Sequence, residues 1–241
     1  MLLPDADVSR ILVVVAHPDD IDFGAAGSVA VWTDAGIEVQ YCLVTDGDAG
    51  GSDREMSRAE MAAIRRAEQT RAAEIVGVHD LHFLGFPDGR VVADLELRHA
   101  ITRVIRDVRP ERVLSMSPER MLDRIYASHP DHLASGEATL AAVYPDSRNP
   151  FAFPDLLDNG HEPWTVSEVY LTAHAESTVY VDITDTFERK LAALECHESQ
   201  HADPTRLRTL LSEWGRGLGA AAGLPAGRLA EGFRAIDVDP G

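Results

Sequence analysis

Short apolar runs alternate with longer runs of mixed polarity through the first half of the chain, and this alternation most restricts its possible folds. The run Ile11–Val15 is apolar throughout and mostly β-branched, which predicts a strand buried on both faces. Similar runs over 39–45, 81–86 and 112–117 predict further strands, and the stretches between them predict helices. Alternating strands and helices favour a parallel sheet with right-handed crossovers. We therefore predict an α/β fold with a mainly parallel sheet and helices on both faces.

The second half of the chain continues this pattern less regularly. The stretch from Pro145 to Pro163 predicts a long loop, because it holds four prolines and has no clean periodicity. Two more strands are predicted over 166–172 and 179–183, followed by a helix over 186–201. No internal repeat or linker is visible, so residues 1–241 are expected to form a single domain.

The charge of the chain restricts its partners. A formal net charge of -18 disfavours binding to nucleic acids and to anionic membrane surfaces, which both require basic patches. The two cysteines form no disulfide framework, and no apolar run has the length of a targeting or membrane-spanning segment. A cytoplasmic protein with a small-molecule partner is the default expectation, and a homo-oligomer is left open.

Two histidine–aspartate tetrads carry most of the chemistry that the sequence reveals. The first, His-Pro-Asp-Asp, occupies positions 17–20, and the second, His-Pro-Asp-His, occupies positions 129–132. Each tetrad follows a predicted strand, and in an open α/β sheet ligands bind outside the carboxyl ends of the strands. The two clusters are therefore expected to meet in one cleft, and the combination predicts a metal-dependent hydrolase.

The spacing of these residues suggests a set of metal ligands. Catalytic zinc sites usually keep three protein ligands and one position for water. His17 and Asp20 are three residues apart, so on a turn that enters a helix both can point the same way. His132 begins the next predicted helix and is the natural third ligand. Two imidazoles and a carboxylate suit Zn2+ and would also accept Fe2+, Co2+ or Mn2+.

Three residues of the tetrads remain for catalysis. Asp19 would lie beside the metal-activated water and is predicted to be the general base. His129, in its protonated form, would stabilise an oxyanion or protonate a leaving nitrogen. Asp131 is predicted to hold His129 in one tautomer and to raise its pKa.

Six stretches of the chain together resemble the LmbE-like, or PIG-L, family of zinc-dependent N-deacetylases. They are AHPDD at 16–20, TDGDAGG at 45–51, LGFPDG at 84–89, HPDH at 129–132, NPFAFP at 149–154 and HESQ at 197–200. The two tetrads in this order are highly specific to the family, and the other stretches support them. The resemblance therefore covers nearly the whole chain.

The resemblance implies a Rossmann-like fold and hydrolysis of an N-acyl group, usually acetyl, on a small-molecule amino sugar of the N-acetylglucosamine type. Some members of the family instead cleave a larger amide in mycothiol-type conjugates, which is the alternative function. By the family pattern, His17, Asp20 and His132 correspond to the metal ligands. Asp19 matches the general base, and His129 matches the residue that assists the oxyanion or the leaving group.

The resemblance also suggests residues that bind the substrate. Family members have an arginine on the helix after the glycine-rich loop, so either Arg65 or Arg66 is expected to hydrogen-bond sugar hydroxyls. The alternative is a solvated helix face in which these arginines pair with Glu60 and Glu68.

Two further residues are matched to substrate contacts. Asp88 stands where the family places an acceptor for a sugar hydroxyl, and the alternative is a simple turn residue. Tyr126 lies three residues before His129, and its hydroxyl would polarise the substrate carbonyl, or its ring would serve in packing.

Other polar residues are predicted to be structural. Ile21 and Asp22 stand where many members have a glutamate, and Asp22 is expected to have a supporting role. His197 is predicted to be structural, and His201 is predicted to be a surface or packing residue. The glycine-rich loop 46–53 lacks the lysine of a nucleotide-binding P-loop, so it is not expected to bind phosphate.

Overall fold

The computed structural model describes residues 2–51, 53–201 and 203–238, and within these residues seven strands form one sheet. The strands are β1 (Arg10–Val15), β2 (Glu38–Thr45), β3 (Asp80–Phe86), β4 (Arg112–Met116), β5 (Glu168–Thr172), β6 (Val179–Asp182) and β7 (Ala230–Asp237). Their order across the sheet is β3-β2-β1-β4-β5-β7-β6. The pairs among β1 to β5 are parallel, whereas β7 is antiparallel to both of its neighbours.

The longer connections between the strands are helical. The α-helices are α1 (Asp20–Asp34), α2 (Arg58–Ile75), α3 (Leu95–Val108), α4 (Pro130–Ala141), α5 (Pro154–Asp158), α6 (Phe187–Glu195) and α7 (Pro204–Ala221). A short 3-10 segment, Leu122–Ala127, precedes α4, and a π-helical turn, Ala142–Asp146, follows it. Among the described residues, no helix combines the length and the apolar character that crossing a membrane requires.

The central strand β1 divides two apolar cores. Ile11, Val13 and Val15 belong to the core that also contains apolar residues of α1, α2 and α6. Leu12 and Val14 belong to the core on the opposite face, which contains apolar residues of α3 and α4. Successive side chains of a strand point to opposite faces, so a continuous apolar run buries both faces of the sheet at once.

The topology of the sheet gathers the loops that carry the polar motifs. From β1 the chain moves to β2 and β3 on one side, and it then crosses to β4 and β5 on the other side. The strand order therefore reverses next to β1, which is where open α/β sheets bind their ligands. His17, Gly47 and Asp88 follow β1, β2 and β3, so all three lie at the carboxyl edge of the sheet.

The predicted mainly parallel α/β fold is confirmed, and three details of the prediction are wrong. The sequence analysis missed β7, a strand in which the charged residue Glu231 is buried against Lys190. The expected loop 145–163 contains α5, and the helix expected over 186–201 ends at Glu195. Ser52, within the glycine-rich loop, lies outside the described residues. The expectation of a single domain over 1–241 stays a prediction.

Candidate active site

The two tetrads meet at the carboxyl edge of the sheet, where three potential ligands converge. The Nδ1 atom of His17 lies 3.3 Å from Nε2 of His132 and 3.4 Å from Oδ2 of Asp20. The Nε2 atom of His132 lies 3.0 Å from Oδ1 of Asp20. Atoms that bind one tetrahedral zinc ion at about 2.0–2.2 Å lie about 3.3 Å from one another. The predicted ligands therefore have the mutual spacing that a bound ion requires.

Local structure explains how these side chains come together. The backbone N–H of His17 donates to Oδ2 of Asp20 at 2.7 Å, which folds the chain from β1 into the first turn of α1. His129 caps the N-terminus of α4, and Pro130 begins that helix, where a proline is well tolerated. Gly136 brings α4 against the end of β4, since a Cβ atom there would lie 2.4 Å from the carbonyl oxygen of Met116.

Two more carboxylates surround the other nitrogen of His17. Its Nε2 lies 3.1 Å from Oδ1 of Asp88 and 3.2 Å from Oδ2 of Asp131. Burial alone would lower the pKa of His17, but Asp131, Asp20 and Asp88 together raise it to about 12. Three carboxylates around one imidazole thus strongly favour positive charge, which either a proton or a metal cation supplies.

Two other groups of residues could also hold a cation. One consists of His17, His129 and His132, and the other consists of His17, Asp88 and Asp131. In the second group Asp131 already accepts the backbone N–H groups of Gly89 at 2.7 Å and Val91 at 3.2 Å. A carboxylate anchored in this way and paired with His17 has the arrangement of a residue that orients a metal-binding histidine.

The predicted pairing of Asp131 with His129 is wrong, because the Asp131 carboxylate contacts His17 instead. The contact between Asp131 and His129 runs through the backbone: the Asp131 N–H donates to Nδ1 of His129 at 3.2 Å. Residues two apart at the start of a helix do not face each other, so the two side chains diverge.

The protonation predicted for His129 is also corrected. Since Nδ1 accepts a backbone N–H, the ring proton lies on Nε2 and the imidazole is neutral. Burial and the positive charge of His17 lower the pKa of His129, against the opposing effect of Asp131. His129 therefore offers a neutral Nε2–H donor at the site.

Asp19 has an unusual backbone conformation and a densely hydrogen-bonded environment. Its φ angle is 82°, in the left-handed region that residues other than glycine rarely occupy. Its backbone N–H donates to Oε1 of Gln69 at 2.9 Å. Its Oδ2 lies 3.2 Å from Nε2 of His201 and 3.4 Å from Nη2 of Arg65. Such strain in a non-glycine residue is a frequent mark of functional sites.

Arg65 and Arg66 have different environments. Arg65 is buried and donates to the carbonyl oxygens of Pro18 at 2.6 Å and Gly47 at 3.2 Å. The loop after β2 closes over its guanidinium, since a Cβ atom at Gly47 or Gly50 would lie 2.4 or 2.6 Å from Nη1. Arg66 is more exposed and pairs with Asp46 at 2.8 Å. The alternative of a solvated face is therefore wrong for Arg65.

Comparison with known proteins identifies the family. The model of the PIG-L family, described as GlcNAc-PI de-N-acetylase, matches residues 12–143, a segment that spans both tetrads and more than half of the chain. This chain belongs to the PIG-L family. The resemblance seen in the sequence is thereby confirmed.

Several known proteins match this chain over most of its length. The diacetylchitobiose deacetylase of Thermococcus kodakarensis is 37% identical, over 97% of this chain and 85% of the relative. The probable N-acetyl-alpha-D-glucosaminyl L-malate deacetylase 2 of Bacillus anthracis is 30% identical, over 87% of this chain and 88% of the relative. The solved structure of the N,N′-diacetylchitobiose deacetylase from Pyrococcus horikoshii superposes with a TM-score of 0.89 at 32% identity, covering 97% and 86% of the two chains.

Two substrate-binding residues expected from the PIG-L pattern differ in their surroundings. Asp88 is buried, and both its oxygens are engaged, Oδ1 with His17 and Oδ2 with the N–H of Ala49 at 3.1 Å. Tyr126 lies on the 3-10 segment and is 79% exposed. Its hydroxyl has no hydrogen-bond partner within the described ranges. Both substrate-binding roles stay predictions.

Several polar residues that reach Asp19 escaped the sequence analysis. His201 contacts the carboxylate of Asp19, so the expectation that it is a surface or packing residue without a matching partner is wrong. Gln69 reaches the backbone of Asp19 from α2. No signal in the sequence points to these residues, because the inward face of α2 carries Arg65, Glu68 and Gln69 at positions where an amphipathic helix normally places apolar residues.

Proposed function

We propose that this chain is a metal-dependent hydrolase that removes the N-acetyl group from an N-acetylglucosamine-type substrate. The observation that carries the proposal is the convergence of His17, Asp20 and His132 within 3.4 Å, next to the strained residue Asp19. Membership of the PIG-L family supports the same reaction. The relatives from Thermococcus kodakarensis and Bacillus anthracis are a deacetylase and a probable deacetylase, respectively.

The donor set fits a divalent cation, and Zn2+ is the ion that we propose. His17 and His132 would each supply one nitrogen, and Asp20 would supply a carboxylate oxygen. When bound, such an ion polarises the acyl oxygen and lowers the pKa of water. Asp88 and Asp131 would orient His17 by accepting the proton on its Nε2.

Asp19 is the residue that we assign to proton transfer. Its Oδ2 is already engaged by Arg65 and His201, while its Oδ1 has no hydrogen-bond partner in the part of the chain that the structure describes. A carboxylate oxygen in this state accepts the proton of a water molecule as that water attacks the acyl carbon. Asp19 then holds the proton that the leaving nitrogen requires.

His129 is assigned to the charge that develops on the acyl oxygen. Its Nε2–H is a neutral donor, which stabilises an oxyanion by hydrogen bonding without transferring its proton. The new C–O bond forms, the C–N bond breaks, and the proton held by Asp19 passes to nitrogen. The products are acetate and a free amine.

The closest functional alternative is cleavage of a larger amide by the same residues. We favour the acetyl group because the relatives from Thermococcus and Pyrococcus deacetylate diacetylchitobiose and align with 97% of this chain. We also expect the partner to be a small amino sugar and the location to be cytoplasmic.

The test measures the release of free amine by metal-stripped protein with and without added Zn2+. The panel contains N,N′-diacetylchitobiose, N-acetylglucosamine and a glucosamine amide with a bulky acyl group. Zinc-dependent release from the acetylated sugars supports the proposal. Release from the bulky amide alone would replace it with the larger-amide function. No release from any of the three by zinc-loaded protein would contradict the proposal as a whole.

A control variant separates effects at the site from general effects of charge. Asp34→Asn alters an exposed aspartate at the far end of α1, where Asp34 pairs with Arg189 at 2.7 Å. We expect this variant to keep the full zinc-dependent rate.

A further inference from the structure

Asp19 is held in place by residues other than the proposed metal ligands. A left-handed backbone is unfavourable for aspartate and persists only where surrounding contacts determine it. Asp19 makes such contacts through its N–H, its carboxylate and its carbonyl oxygen, which accepts the N–H of Phe23 at 3.0 Å. The partners of the first two groups come from α2 and from the turn after α6.

A chain of buried side chains secures the backbone of Asp19. The Gln69 amide accepts the Asp19 N–H through Oε1 and donates through Nε2 to Oδ2 of Asp22 at 2.9 Å. His197 donates from its Nε2 to the same Asp22 oxygen at 2.8 Å. A backbone N–H only donates and a carboxylate only accepts, so the orientation of the Gln69 amide is determined. Gln69, Asp22 and His197 are each 0% exposed.

The turn of residues 197–201 positions His201, which contacts the side chain of Asp19. The carbonyl oxygen of His197 accepts the N–H groups of Gln200 and His201, both at 3.0 Å. Ser199 ties the turn to α2, since its N–H and its hydroxyl donate to the two oxygens of Glu68 at 2.8 and 2.7 Å. The turn is thus fixed at both Asp22 and Glu68, and it places Nε2 of His201 on the carboxylate of Asp19.

We propose that Gln69 and His201 are positioning residues that hold Asp19 in its left-handed conformation and aim its carboxylate, with the Asp22–His197 pair fixing both. This inference rests on the proposed function, because it matters for catalysis only if Asp19 transfers the proton. His201 and Arg65 converge on Oδ2, so the carboxylate cannot rotate freely and Oδ1 keeps one direction. A general base must lie within hydrogen-bond reach of the proton that it takes, and small displacements are costly.

The kinetic test compares His201→Ala with His201→Gln. The alanine variant is expected to lower kcat about tenfold to a hundredfold with KM within about twofold, because the base is misaligned while substrate binding is unchanged. The glutamine variant should recover most of kcat, since its amide N–H can replace Nε2–H. A kcat within about twofold of wild type for His201→Ala would overturn the proposal.

The matched control for this comparison is His99→Ala. His99 pairs with Asp155 through its Nε2 at 2.7 Å, on α3 and α5, so the control removes a histidine–aspartate contact outside the site. Its kcat should equal that of wild type. Metal content and the midpoint of thermal unfolding are measured for all variants. If both equal the wild-type values, a fall in kcat does not result from loss of bound metal or from unfolding.

A crystallographic test is independent of activity and therefore separates this proposal from the proposed function. In Gln69→Leu the N–H of Asp19 loses its acceptor, and we expect the φ of Asp19 to leave the left-handed region. In His201→Ala we expect the carboxylate to turn away from its wild-type position. If Asp19 keeps its conformation in both variants, the positioning role is wrong, whether or not the wild-type protein releases amine. If wild-type protein releases no amine but Asp19 moves, only the proposed function fails.

Discussion

The metal side and the base side of the site meet at the start of α1 but are built in different ways. The metal side consists of His17, Asp20, His132 and the supporting residues Asp88 and Asp131, each in the loop or helix start that follows a strand. The base side brings Gln69 and His201 to Asp19 from positions 50 and 182 residues away. Coordination requires particular residue types, whereas positioning accepts any group that donates or accepts a hydrogen bond. The metal side can therefore be predicted from the sequence, whereas the base side cannot.

The two sides also differ in charge balance. On the metal side, three carboxylates surround His17, and no lysine or arginine pairs with any of their oxygens in the described residues. On the base side, Arg65 faces Asp19, and the neutral amide of Gln69 separates Asp19 from Asp22. Negative charge is thus left for a cation on the metal side only.

Loss of a ligand on the metal side should have the largest effect. His132→Ala is expected to lose its metal and to lower the deacetylation rate about a thousandfold or more, because the water is no longer activated. Metal content by elemental analysis and amine release provide the measurement. The His99→Ala variant is the control, and a His132→Ala protein with full metal content would break the distinction between the two sides.

Loss of the base should lower the rate without loss of metal. Asp19→Asn keeps the size of the side chain but cannot accept the proton, so kcat should fall about 10²- to 10⁴-fold. Metal content should equal that of wild type. If this variant also lost its metal, Asp19 would belong to the metal side.

The buried pair behind the base should dominate stability. His197→Ala leaves the carboxylate of Asp22 buried without that partner, and it is expected to lower the free energy of unfolding by about 3–5 kcal/mol. Urea unfolding followed by circular dichroism measures the difference. Asp22→Asn keeps an acceptor for His197 and should cost less. Equal losses in the two variants would contradict the role assigned to this hydrogen bond.

Asp88 should affect metal affinity more than the intrinsic rate. Asp88→Asn weakens the hold on Nε2 of His17, and metal affinity is expected to fall about 10- to 100-fold. Activity measured against zinc concentration should approach the wild-type value at saturation. A persistent rise in KM at saturating zinc would instead assign Asp88 to substrate binding, as the family pattern predicts.

The smallest effect is expected at Arg66. Arg66→Ala removes an exposed ion pair with Asp46, so the free energy of unfolding should change by less than about 1 kcal/mol, with kcat and KM within about twofold. Thermal unfolding and steady-state kinetics measure these quantities. A large rise in KM would show that Arg66, rather than Arg65, faces the substrate.

The sequence predicts most of the sheet, because its central strands are continuous apolar runs. It does not reveal β7, where Glu231 is buried and satisfied by Lys190 at 2.5 Å and by the backbone of Ser28 at 2.7 Å. A strand whose buried charge is neutralised by distant partners has no apolar signature. The inward face of α2 cannot be predicted for the same reason, because its buried charge also has a distant partner. Glu68 accepts a hydrogen bond from Ser199, which is 131 residues away.

Within the site, the predicted ligands come together because strand ends are topologically constrained. The contact between Asp131 and His17 was not predictable from spacing, since 114 residues separate them and the nearer histidine, His129, is the more obvious partner. Which of Arg65 and Arg66 points inward depends on the rotation of α2 about its axis. A helix without an apolar stripe does not reveal that rotation.

The burial of the Arg65 guanidinium beneath the loop after β2 has a consequence for protein engineering. Gly47 and Gly50 offer no room for a methyl group, while Asp48 and Ala49 contribute contacts through a carboxylate and a backbone N–H. A randomised library of this loop should therefore tolerate many residues at position 49, fewer at 50, where a side chain must displace Arg65 and Gln200, and fewest at 47, which also has a left-handed φ of 65°. The loop that borders the site can therefore be redesigned at some positions only, and its glycines are the positions that restrict substitution.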